Sequence, residues 1–117
     1  MAADTSDESV EIAINATNFP DEIFREYISE KFDDDGSGGL SAEEIGDAQT
    51  IEVNYMGISS LEGIEYFTKL EYLECERNNL SGLDVSNCTA LTSLWCDGNN
   101  LSSLDVSNCT ALTSLWC

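Results

Sequence analysis

The apolar positions of the C-terminal half fall on a fixed period. Leu70, Leu73, Cys75 and Leu80 return 21 residues later as Leu91, Leu94, Cys96 and Leu101. The stretch LSGLDVSNCTALTSLWC, from Leu80 to Cys96, recurs from Leu101 to Cys117 with one difference, Gly82 against Ser103. Within each unit, Leu94 and Cys96 alternate with Ser93, Trp95 and Asp97, the period-2 signature of a short strand. A unit this short cannot bury its own apolar face, so it must stack on its neighbours as a solenoid.

Positions Leu91, Leu94, Cys96, Asn99 and Leu101 match L-x-x-L-x-(L/C)-x-x-N-x-L, the pattern of a leucine-rich repeat, and Leu70, Leu73, Cys75, Asn78 and Leu80 match it one unit earlier. Asn78 and Asn99 then belong to a buried ladder that satisfies turn backbone groups. An older unit, with Ile51, Val53, Met56, Ile58 and Leu61, fits at a spacing of 22 and carries Met56 where Asn belongs, as a terminal repeat facing a cap would. The last unit stops at Cys117 in mid-strand, which predicts a truncated piece of a longer array. The fold class expected is an α/β solenoid of 21–22-residue leucine-rich repeats over residues 49–117, with parallel strands on the concave face.

Ahead of the repeats the pattern changes. Val10, Ile12 and Ile14 alternate with polar residues, a short strand docked on the N-terminal cap of the solenoid. Ile23, Phe24, Tyr27, Ile28 and Phe32 form a stripe at helical spacing, with Pro20 suited to a first helical position. Between that helix and a second short one over 41–47 lies DDDGSGGLSAEE, Asp33 to Glu44. Numbered from Asp33, it places carboxylates at positions one, three and twelve (Asp33, Asp35, Glu44), a hydroxyl at five (Ser37), Gly38 at six, the Gly39 carbonyl at seven and Ser41 at nine. That is the EF-hand calcium loop: a hard cation takes six to eight oxygens, and Gly at six permits the sharp turn. Residues 10–48 are therefore expected to form an EF-hand-like helix-loop-helix cap holding one calcium ion. The affinity expected of an unpaired loop with Ser at position five is weak, on the order of 0.1–1 mM. Residues 1–9 read as a disordered acidic tail.

Charge narrows the partners. The 117-residue chain has 23 acidic and 4 basic residues, a net charge of −19, and 20 of the acidic residues lie at or before Glu76. Nucleic acid and anionic membrane are poor partners for such a surface. No segment approaches the roughly 18 apolar residues of a membrane span, and none has the layout of a signal peptide. The absence of His, of a phosphate-binding Gly loop and of a Ser or Cys with an activating partner argues against an enzyme.

Alternation along the strands puts three columns on the concave face: Thr50, Tyr72, Ser93, Ser114; Glu52, Glu74, Trp95, Trp116; and Asn54, Glu76, Asp97. Tyr72, Glu74, Glu76, Trp95, Asp97 and Trp116 are the candidate ligand contacts, suited to a glycan or to a basic or aromatic peptide. Cysteines form two further columns, Cys75, Cys96, Cys117 inward on the strands and Cys88, Cys109 in the convex loops. Core packing is the first expectation for them, disulfides within a column are open, and thiolates holding zinc or an iron-sulfur cluster are the alternative.

Together, NFPDEIFREYISEKFDDDGSGGLSAEEI and the LDVSNCTALTSLWCDGNNLSSL units resemble the internalin-like class of bacterial leucine-rich-repeat proteins. The likeness runs over about residues 10–117. It implies a secreted or cell-surface module for adhesion or binding, with a protein, peptide or glycan ligand on the concave sheet.

Overall fold

The computed structural model describes residues 12–117; the acidic tail and Val10 lie outside them. Two sheets and two helices form a cap and a short solenoid. In the cap, β1 (Ile12–Ala13) pairs antiparallel with β2 (Gly39–Leu40), tying the chain ahead of helix α1 (Glu22–Phe32) to the loop after it. Asp21 rather than Pro20 sets the start of α1: its Oδ1 accepts from the N–H groups of Ile23 and Phe24 at 3.0 and 3.1 Å, neutralising orphan donors of the first turn. Pro20 lies one residue outside. Phe24 and Ile28 are buried and Tyr27 and Phe32 pack against the core, whereas Ile23 departs from the expected stripe. It stands about 100° round the helix from Phe24 and faces solvent. Helix α2 (Ala42–Asp47) opens with a capping box: Ser41 Oγ accepts from Glu44 N–H while Glu44 Oε1 accepts from Ser41 N–H.

The solenoid sheet has the strand order β3 (Thr50–Glu52), β4 (Tyr72–Glu74), β5 (Ser93–Trp95), β6 (Ser114–Trp116), all parallel. Its register follows the 22- and 21-residue periods: Ile51 stands beside Leu73, Leu73 beside Leu94, Leu94 beside Leu115. Hydrogen bonds from Val53 N–H to the Glu74 carbonyl and from Cys75 N–H to the Trp95 carbonyl carry the ladder past the formal strands. Arg77 N–H to the Asp97 carbonyl extends it further. A single apolar row fills the interior, with Ile51, Val53, Ile58, Leu70, Leu73, Leu80, Leu91 and Leu94 all buried.

Cap and solenoid share one aromatic cluster. Phe19 lies 6.0 Å from the rings of Phe24 and Tyr66 and 6.4 Å from Phe67, and Phe32 lies 5.7 Å from Phe67. Gly63 (φ 109°) makes this fit possible, since a Cβ there would stand 2.2 Å from the Phe19 ring. Two polar ties cross the same seam: Asp21 Oδ2 accepts from Ser59 N–H at 2.8 Å, and Tyr27 Oη accepts from Glu52 N–H at 3.1 Å. A short 3₁₀ turn, Ile64–Tyr66, replaces any convex strand in the first unit.

Candidate functional site

The concave face is built by strand alternation. Leu73 and Cys75, like Leu94 and Cys96, turn into the core, so the residues between them must face out. Register places Thr50, Tyr72, Ser93 and Ser114 in one row and Glu52, Glu74, Trp95 and Trp116 in the next. The large aromatics are open to solvent: Tyr72 by 47%, Trp95 by 38% and Trp116 by 61%. The two indoles meet edge to face, with centroids 6.3 Å apart.

Beside them runs the carboxylate column. Asn54 Nδ2 donates to Glu74 Oε1 at 2.9 Å while Asn54 Oδ1 accepts from Glu76 N–H at 2.8 Å, which fixes two acidic residues at once. Asp97 Oδ1 is enclosed and has no hydrogen-bond partner among the described residues. Partial burial, then a side-chain hydrogen bond with Asp97 and the charges of Asp97 and Glu74, push the Glu76 carboxyl above the ordinary range, with Arg77 pulling the other way. Six expected contacts, Tyr72, Glu74, Glu76, Trp95, Asp97 and Trp116, thus fall on one continuous surface.

The turns behind this face are held by asparagine. Asn78 Oδ1 accepts from Met56 and Ile58 N–H, both at 3.0 Å, and its Nδ2 donates to the carbonyls of Val53 and Cys75. Asn99 repeats the arrangement, accepting from Asn78 and Leu80 N–H and donating to Cys75 and Cys96. Each turn also needs one residue with positive φ, supplied by Tyr55 (61°), Arg77 (55°) and Gly98 (76°). That column escaped the sequence reading because only Gly98 advertises it.

In the cap loop, Asp33, Asp35 and Glu44 bring carboxylate oxygens within 4.8 Å of one another. Asp33 accepts from Ser37 and Gly38 N–H, and Asp35 from Ser37 N–H, which folds the loop around these groups. The Ser37 hydroxyl donates to the Gly39 carbonyl at 3.1 Å, and Ser41 caps α2 behind it. Gly36 and Gly38 hold the turn at φ 65° and 85°. Hydrogen bonds from Ser37 hold the Asp35 carboxyl below its ordinary value. Glu44 is buried, with Oε2 accepting from Asp34 N–H at 2.9 Å.

The cysteines split. Cys75, Cys88 and Cys109 are buried free thiols, and Cys96 is bonded to Cys117 across a Cα separation of 4.8 Å. Burial pushes Cys75 and Cys88 up to about 12. Among the described residues, the acidic trio of the cap loop is the group of three or more ligands that converges, and no cysteine belongs to it.

This architecture recurs in solved structures. The functional domain of InlJ from Listeria monocytogenes, which includes a cysteine ladder, superposes with a TM-score of 0.81 at 34% identity, over 92% of this chain and 24% of that one. The chain resembles the internalins and shares their leucine-rich-repeat solenoid. Internalin inlF of the same organism gives a TM-score of 0.81 at 27% identity, over 92% of this chain and 32% of that one. Internalin C2, at 21% identity and a TM-score of 0.79, shares the fold over 90% of this chain and 47% of its own. The chain therefore spans 24% to 47% of the length of these three structures. No protein-family model and no curated protein sequence matches it. No helix among its described residues is long and apolar enough to cross a membrane.

Proposed function

We propose that the chain is an extracellular recognition module, secreted or on a bacterial surface, that binds a protein, peptide or glycan through its concave sheet and carries no catalysis. The observation that carries this reading is the row of exposed aromatics, Tyr72, Trp95 and Trp116, set against Glu74, Glu76 and Asp97 on a rigid parallel ladder. Large aromatic surface left open on a regular face marks an interaction site more often than an inert one. The internalin likeness supports the surface location. Converting Trp95 and Trp116 to Ala should abolish capture on a protein, peptide and glycan array while the melting temperature stays within a few degrees. Undiminished capture by that variant would remove the concave face from consideration.

The same proposal gives the cap one calcium ion, held by Asp33, Asp35, Ser37, the Gly39 carbonyl, Glu44 and, directly or through water, Ser41. Three carboxylates converging within 4.8 Å support it, because a divalent cation offsets their mutual repulsion. The ion's work is structural: the loop joins α1 to α2, and both pack on the first repeat. Calcium should raise the melting temperature relative to chelator, and Glu44→Gln should remove the difference. Identical unfolding curves for the native chain in calcium and in chelator would dismiss the ion.

A further inference from the structure

The concave columns carry a charge bias that the recognition reading leaves unused. Of the eleven positions in those columns, four are carboxylates (Glu52, Glu74, Glu76, Asp97) and none is a cation. The chain's basic residues are Arg25, Lys31, Lys69 and Arg77. Arg77, the one adjacent to the site, places its guanidinium over the Tyr55 ring at 5.8 Å and exerts a smaller pull on Glu76 than the carboxylates around it. Register sets Trp95 directly beside Glu74, and the Asp97 carboxyl lies against that of Glu76. The surface thus offers an aromatic face and a pair of crowded acceptors side by side.

We infer that the concave face is built to take an arginine side chain from a basic segment of a protein partner, its guanidinium between the Trp95 indole and the Glu76 and Asp97 carboxylates. This rests on the concave-face reading and names the occupant. A planar guanidinium fits for three reasons. It stacks on an indole, its fork of donors serves two carboxylates at once, and its charge relieves their repulsion. Lysine offers the charge without the fork. A neutral saccharide could donate hydrogen bonds but would leave the like charges facing each other.

Trp95 and Trp116 are the only tryptophans, so intrinsic fluorescence reads the site directly. The probes are the hexapeptide (Gly-Arg)₃, its lysine counterpart and its citrulline counterpart, which keeps the shape and loses the charge. The arginine peptide should shift the emission saturably, the lysine peptide should bind several-fold more weakly, and the citrulline peptide should leave the signal unmoved. E76Q/D97N should weaken arginine-peptide binding at least tenfold with a melting temperature no lower than that of the native chain. E30Q/E62Q removes the same charge from exposed positions outside the columns and should leave binding as it was. Equal weakening by both double variants, or equal binding of the citrulline peptide, would overturn the arginine site. Should a saccharide panel or a protein array move the fluorescence while the arginine peptide does not, the arginine assignment fails and the concave-face reading stands. Silence towards every probe would count against both.

Discussion

At the scale of single residues, the structure depends on groups that a hydropathy profile treats as polar interruptions. Asn78 is the clearest: one side chain accepts from two backbone N–H groups and donates to carbonyls of two successive coils. An unsatisfied buried group costs roughly 1–3 kcal/mol, so Asn78→Leu should lower stability by about 3 kcal/mol or more in urea unfolding. A loss under about 1 kcal/mol would show that water replaces the amide at no penalty. The buried thiols make a second residue-scale case. Folded-state values of about 12 for Cys75 and Cys88 lie above the ordinary thiol value of about 8.5. A raised folded value favours the protonated form in the fold, so this contribution is complete below about pH 8.5 and lost as pH rises towards 12. Stability should therefore fall across that alkaline window, less so in Cys75→Ala/Cys88→Ala. At pH 8 a thiol reagent should leave both cysteines unlabelled until denaturant is added; labelling of the native chain would show that the columns open.

At the scale of elements, the repeat period made the strands, their order and the outward columns legible, because a strand's side-chain alternation and a 21-residue offset leave no freedom in register once Leu73 and Leu94 are inside. The cap loop was legible for a similar reason: Asp33, Asp35 and Glu44 are separated in sequence but converge once Gly36 and Gly38 turn the chain. What the sequence hid were contacts across the seam. Asp21, not singled out by the sequence pattern, caps α1, and its second oxygen holds Ser59, 38 residues away. Gly63 looks like one more turn glycine, and its reason is the Phe19 ring pressed against it. Such pairings depend on how the cap docks, which no local period encodes. Asp21→Ala should remove both the helix cap and the tie to Ser59. About 0.5–2 kcal/mol is expected for the cap alone, with the tie adding to it. Asp21→Ser, which can cap α1 but is too short to reach Ser59 as well, should recover only part of the loss in thermal unfolding. Full recovery would show that the seam gains nothing from the second bond.

At the scale of the molecule, stability is distributed along one axis. Each coil contacts only its neighbours, so local opening is governed by what lies on either side. The β3 side is closed by five aromatic rings of the cap and first repeat, Phe19, Phe24, Phe32, Tyr66 and Phe67, whereas on β6 Leu115 is 46% exposed and both neighbouring side chains are accessible. The concave face runs between these two strands, with Tyr72 and Glu74 nearer the aromatic cluster and Trp116 on β6. Amide exchange should therefore slow progressively from Ser114–Trp116 through Ser93–Trp95 to Tyr72–Glu74. Calcium held in the cap loop would act through Asp21, Tyr27 and the aromatic cluster, so it should protect β3 and β4 more than β6. Exchange that is uniform across the four strands, and slows uniformly with calcium, would mean the solenoid opens as one unit. In that case the cap would govern the concave face as a whole instead of only its nearest coils.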